Sequence, residues 1–133
     1  MKTFIPPESE EQEKVFRWAE FSERQYPELE LLNGSMNGAK RSIFQANLAK
    51  RQGLKAGFPD ISLYVSRGGY HGLFIEMKRI KKGRVSEDQK RILRSLKNQG
   101  YFACVCKGGD AAITVIEKYL GGEYERRPTP DNP

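Results

Sequence analysis

The chain of 133 residues suits one compact domain that buries its own core, and its 38% hydrophobic and 30% charged residues exclude a wholly disordered protein. No run approaches the roughly 20 apolar residues that span a bilayer, and residues 1–7 lack the apolar core of a signal peptide. A cytoplasmic protein without membrane association is expected. The net charge of +6 and a pI of about 9.4 favour a polyanionic partner.

Along the chain, Pro6-Pro7 followed by Glu8-Ser9-Glu10-Glu11-Gln12 marks a helix start, with acids at the positive end of the helix dipole. The periodicity predicts a helix to about Arg24, with Glu8, Gln12, Val15, Ala19 and Ser22 on one face. Tyr26-Pro27 ends it. Leu29 to Leu32 is a short strand candidate, Asn33 to Gly38 a turn-rich loop, and Arg41 to Gln52 a second helix that Gly53 closes. Asp60 to Val65 alternates, and Arg67-Gly68-Gly69 turns the chain into Tyr70 to Lys78, a hairpin. Ser86-Glu87-Asp88-Gln89 has the capping-box pattern and opens a helix reaching about Asn98, with Ile92, Leu93 and Leu96 inward and Gly100 at its end. Tyr101 to Val105 is the next strand and Ala111 to Leu120 the last helix. Residues 123–133 carry three prolines and read as a mobile tail beyond a domain of residues 1–122. This order suits a mixed α/β sheet with helices on both faces. With no Gly-rich turn after the first strand, it does not suit a doubly wound nucleotide-binding domain.

Cys104 and Cys106 would share one strand face, too close in sequence to bridge comfortably, and read as reduced core thiols. With His71 as the single histidine, a zinc finger and any two-histidine mechanism are excluded. His71 itself reads as a strand-edge surface residue. Chemistry must then come from carboxylates, lysines and bound metal. The charge is unevenly spread. Residues 1–30 hold eight acids against four bases, whereas Lys40 to Phe58 hold five bases and no acid, and Lys78 to Arg94 hold eight bases against Glu87 and Asp88. Such basic segments suit a phosphate backbone as well as a solvated surface.

Leu73-Phe74-Ile75-Glu76-Met77-Lys78 has apolar residues on both faces, the pattern of a buried strand, so Glu76 needs a cation or water. A pair with Lys78 near the strand end is one answer; a divalent metal is the other. Asp60 begins the partner strand of the hairpin, which sets it at the same end of the sheet as Glu76 and Lys78. Two carboxylates beside a lysine make a hard, oxygen-rich site, suited to Mg²⁺ or Mn²⁺ more than to zinc.

Gly57-Phe58-Pro59-Asp60, Leu73 to Lys78, Ser86-Glu87-Asp88-Gln89 and Gln99-Gly100-Tyr101 together resemble the phage-type VRR-NUC domain of the PD-(D/E)XK nuclease superfamily, from about Glu8 to Leu120. The resemblance implies a restriction-endonuclease-like core, a mixed sheet flanked by helices. It further implies Mg²⁺-dependent hydrolysis of DNA, with Mn²⁺ able to substitute, and a homodimer acting on branched DNA such as four-way junctions. Carried over by position, Asp60, Glu76 and the Met77 carbonyl would ligate the metal, Lys78 would position the attacking water, and Gln89 would face the centre. A helix-borne glutamate completes the set. Glu8 matches best, although a Ser9–Gln12 capping box would put it ahead of the helix, and Glu11 is the alternative. Arg41, Lys50, Arg51, Lys55, Lys81, Lys82 and Arg84 are expected at the DNA backbone. A non-catalytic branched-DNA-binding module and a sequence-specific restriction-type enzyme are the rival readings.

Overall fold

The computed structural model describes residues 4–35 and 42–127. Arg41, and residues 36–38 of the expected turn-rich loop, lie outside them. Helix α1 (Glu8–Ser22) starts where expected, with Pro7 as its N-cap residue and Glu8 as its first helical one. The expected Ser9–Gln12 cap does not form, because the fixed φ of Pro7 already suits the residue before a helix. Glu11, Val15 and Ala19, spaced by four, are its buried residues.

The strand expected over residues 29–32 is instead a 3-10 helix, Pro27–Leu31, that hands over to strand β1 (Leu32–Gly34). Pro27 pre-sets a helical φ at its first position, and the turn drives Leu29, 4% exposed, into the core. Asn33 and Gly34, expected in a loop, pair as β1 with Ser62 and Ile61. Helix α2 (Ile43–Arg51) opens with a complete Ser42–Gln45 capping box and buries none of its residues. Strands β2 (Ile61–Leu63) and β3 (Leu73–Lys78) form the expected antiparallel pair, with Ile61 opposite Ile75 and Leu63 opposite Leu73. Helix α3 (Glu87–Asn98) crosses over to β4 (Phe102–Lys107), parallel to β3, and α4 (Gly109–Leu120) follows.

The four-stranded sheet runs β1-β2-β3-β4, so β3 is internal and reads as the apolar run it is. Its alternate residues define two faces. Leu73, Ile75 and Met77 join Val15, Ala112, Ile116 and Tyr119 in the main core beneath α1 and α4, with each buried Val, Leu, Ile or Met side chain contributing about 1.5–3 kcal/mol. Phe74, Glu76 and Lys78 point to the other face, where α3 packs on β4. Cys104 and Cys106 are free thiols with Sγ atoms 3.8 Å apart on one side of β4. Packing does not stop at residue 122. Tyr124 stacks on Phe102 with ring centroids 4.5 Å apart, and the Arg126 N–H donates to the Gly68 carbonyl at 2.7 Å. Gly68 is required there, since a Cβ would collide with the Tyr124 carbonyl. No helix among the described residues is long and apolar enough to cross a membrane.

Candidate metal centre

Strand β2 is shorter than β3, and its pairing ends at Ile61 opposite Ile75. The next β3 amide facing that side belongs to Met77, and without a β2 partner it would be an orphaned buried donor. Asp60 fills the gap: its Oδ2 accepts the Met77 N–H at 2.8 Å. The approach to Asp60 is set by Gly57, at φ +96°, where a Cβ would meet the Asp88 backbone at 2.8 Å, and by the buried Pro59. In a strand a residue's N–H and C=O face the same neighbour, so the Met77 carbonyl is directed to the side where Asp60 lies.

Glu76 is 1% exposed. Its Oε1 accepts from Gln89 Nε2 at 2.7 Å and pairs with Lys78 Nζ at 3.5 Å, while Oε2 is buried with no hydrogen-bond partner. Burial, followed by the facing Asp60 carboxyl, pushes the Glu76 carboxyl up to about 8, against the opposing pull of Lys78. Glu8 projects from the first turn of α1 to the same place, and its carboxyl is raised by burial and by Asp60, with Lys78 again opposing. One carboxylate oxygen from each of Glu8, Asp60 and Glu76 lies within 4.8 Å of the others.

Such a cluster fits a divalent cation. Excess buried negative charge, an unpartnered carboxylate oxygen and an all-oxygen donor set suit a hard divalent cation. Lys78 alone cannot neutralise it, because its ammonium meets Glu76 on the oxygen that Gln89 already holds. Glu11, the alternative to Glu8, is engaged elsewhere. Its Oε1 accepts the Gly109 N–H at 3.2 Å and caps α4, whose own N-cap residue, Gly108, has no side chain.

A cleft of about 360 Å³ opens over the centre, bordered by Glu8, Lys50, Lys55, Asp60, Glu76 and Gln89. Lys50 and Lys55 therefore stand at the mouth of the acidic site. Arg51 ends α2, exposed. Lys81, Lys82 and Arg84 are exposed on the loop after β3, which closes against Lys78: a Cβ on Gly83 would lie 3.0 Å from the Lys78 Cβ. Asp88 and Phe58 also border the cleft, a placement the sequence reading did not give them. In the sequence Asp88 belongs to a capping-box pattern and Phe58 is one letter of the Gly57-Phe58-Pro59-Asp60 motif.

A mixed sheet flanked by helices, with an acidic centre where its two middle strands part, defines the restriction-endonuclease-like class of α/β proteins. Within it, the VRR-NUC domain matches residues 4–110, and the chain belongs to that nuclease-type family. A solved structure described as a VRR_NUC domain protein is 34% identical, with a TM-score of 0.74 over 92% of this chain and 93% of its own. Among curated proteins none matches the chain.

Proposed function

We propose that the protein is a divalent-metal-dependent DNA endonuclease that hydrolyses the phosphodiester backbone to leave 5′-phosphate and 3′-hydroxyl ends. The observation that carries this reading is the convergence of Glu8, Asp60 and Glu76 beside Lys78, in a chain of a nuclease-type family. A bound Mg²⁺, with Mn²⁺ as a substitute, supplies Lewis-acid polarisation of the phosphate and an activated water. Glu8, Asp60, Glu76 and the Met77 carbonyl hold the cation. Lys78 orients the water and offsets charge on the phosphate. Gln89 holds Glu76 in place. Lys50, Arg51, Lys55, Lys81, Lys82 and Arg84, together with Arg41, contact the DNA backbone, which positions the duplex without reading its sequence.

Branched DNA, four-way junctions among the candidates, is the substrate class, and a C₂ homodimer is the assembly suited to paired cuts. Support for a dimer comes from α2, which leaves Ile43, Phe44 and Leu48 exposed and buries nothing of its own. The free thiols Cys104 and Cys106 suit a cytoplasmic protein, here of phage or prophage origin. Labelled linear, flapped and four-way DNAs incubated with Mg²⁺, Mn²⁺ or Ca²⁺ test the reading. Paired cuts in the four-way substrate with Mg²⁺ or Mn²⁺ are expected, and absence of cleavage on every DNA with both metals would overturn it.

A further inference from the structure

The face of the sheet that carries Asp60 and Glu76 continues away from the metal centre as an aromatic trough. By strand alternation, Ser62 and Tyr64 follow Asp60 on that face, and Phe74 precedes Glu76. Register sets Ser62 opposite Phe74, one step along the strands from the carboxylates. Tyr64, 60% exposed, meets Phe74 edge to face with ring centroids 6.3 Å apart, and Phe74 meets Tyr101 in the same way at 5.2 Å. The concavity over the Tyr64 and Phe74 rings has a volume of about 450 Å³ and also takes in Asn33, Phe58 and Lys55. It shares Leu54, Lys55 and Phe58 with the metal-site cleft, so the two hollows adjoin.

Its chemistry differs from that of the cleft. Among the described residues no carboxylate lines it and its single charge is the Lys55 ammonium, while Asn33 and Ser62 add amide and hydroxyl groups beside flat apolar rings. An aromatic floor with hydrogen-bonding groups at its rim and a cation at the entrance matches a nucleobase with its phosphate. A base pair inside a duplex cannot use it, because stacked neighbours cover both faces of each base. The two-residue step from the carboxylates to Ser62 and Phe74, roughly 7 Å along the strands, is on the scale of one nucleotide.

We infer that this trough seats an unpaired base of the DNA, one or two nucleotides from the phosphate at the metal centre, and so directs the enzyme to sites where pairing is interrupted. The inference rests on the nuclease reading for its choice of occupant, but its test does not need cleavage. Tyr64→Ala is the informative variant, since so exposed a side chain is dispensable for folding. The probe is a DNA duplex with a short single-stranded flap carrying 2-aminopurine beside the junction, titrated in Ca²⁺. A fully paired duplex of equal length is the control. Stacking on Tyr64 quenches the 2-aminopurine on binding. With Tyr64→Ala the quench is lost and affinity for the flapped DNA falls roughly 5- to 100-fold, while affinity for the paired duplex is unchanged.

Equal quenching and equal flap affinity in the variant would overturn the trough, as would equal losses on flapped and paired DNA. Cleavage by the wild type in Mg²⁺ is scored separately. Cleavage without Tyr64-dependent quenching removes the trough and leaves the nuclease, whereas Tyr64-dependent quenching without cleavage keeps the trough and removes the nuclease.

Discussion

Gln89 serves two masters with one amide. Its Oε1 accepts the Ser86 N–H at 2.9 Å and completes the α3 capping box, and its Nε2 donates to Glu76 Oε1 at 2.7 Å. The start of α3 and the aim of a buried carboxylate are therefore one structural fact. Gln89→Ala is expected to cost about 1 kcal/mol of stability through the lost cap. It is also expected to lower cleavage roughly 10- to 100-fold, in the range seen when a supporting contact to a metal ligand is removed. Gln89→Glu separates the two effects, because a glutamate can complete the box yet sets a second carboxylate against Glu76. Near-normal melting with activity as low as in Gln89→Ala is the expected pattern, and full activity in Gln89→Glu would show that the contact to Glu76 is idle.

Asp60 holds the Met77 N–H as well as facing the metal position, and the two roles respond to different substitutions. Asp60→Asn keeps an oxygen that accepts the N–H, so the fold is expected to persist with metal binding and cleavage abolished. Asp60→Ala orphans a buried donor and is expected to lose a further 1–3 kcal/mol or so. Isothermal titration with Mn²⁺ and thermal melts of both variants check this. Equal stability of the two variants would mean that water or a neighbour takes over the Met77 N–H.

How far this centre could be read from the sequence depended on distance along the chain. Glu76 and Lys78 lie on β3 and Asp60 directly precedes its partner β2, so alternation and the hairpin are enough to bring the three together. The capping pattern puts Gln89 at the start of α3, but only the family resemblance aims it at the centre. Glu8 is separated from Asp60 by the whole of α1, β1 and α2, and its approach depends on how α1 crosses the sheet, which no local pattern encodes. Whether Ser9 or Pro7 caps α1 was likewise a contest between two acceptable local signals. Residues 29–32 read as a strand because a single turn of 3-10 helix carries no periodicity to set against the β-like run of leucines, and only the need to bury Leu29 decides for the turn over Pro27–Leu31. Gly68 and Arg126 show a further limit: the packing of residues beyond 122 depends on a glycine carbonyl more than fifty positions earlier.

Metal-free protein should show an inverted pH response. With the folded Glu76 carboxyl at about 8 and its ordinary value at 4.5, the folded chain holds a proton between those values that the unfolded chain has released. The resulting stabilisation is fully present below about pH 4.5 and is lost as pH rises through about 8. Thermal melts in EDTA should therefore fall across this window, and the wild type should lose more than Glu76→Gln, which has no proton to release there. Excess Mg²⁺ takes the place of the proton, so the shift in Tm that it produces should grow with pH. A difference between wild type and Glu76→Gln that stays constant from acid to mildly alkaline pH would contradict a buried carboxyl titrating in this range.

Glu8 and Glu11 lie three residues apart on one helix, yet the structure gives them separate tasks. Glu8 shares the acidic centre, whereas Glu11 caps α4 through the Gly109 N–H. Glu8→Gln removes one charge from the cation's surroundings and should weaken Mn²⁺ binding and cleavage, with stability equal to or above that of the wild type in EDTA because a repulsion is relieved. Glu11→Ala should do the reverse, lowering stability by about 1 kcal/mol through the lost cap while metal affinity at saturating fold is unchanged. Paired titrations and melts of the two variants distinguish them, and a loss of metal affinity in Glu11→Ala as large as in Glu8→Gln would place the helix-borne ligand one turn further along α1.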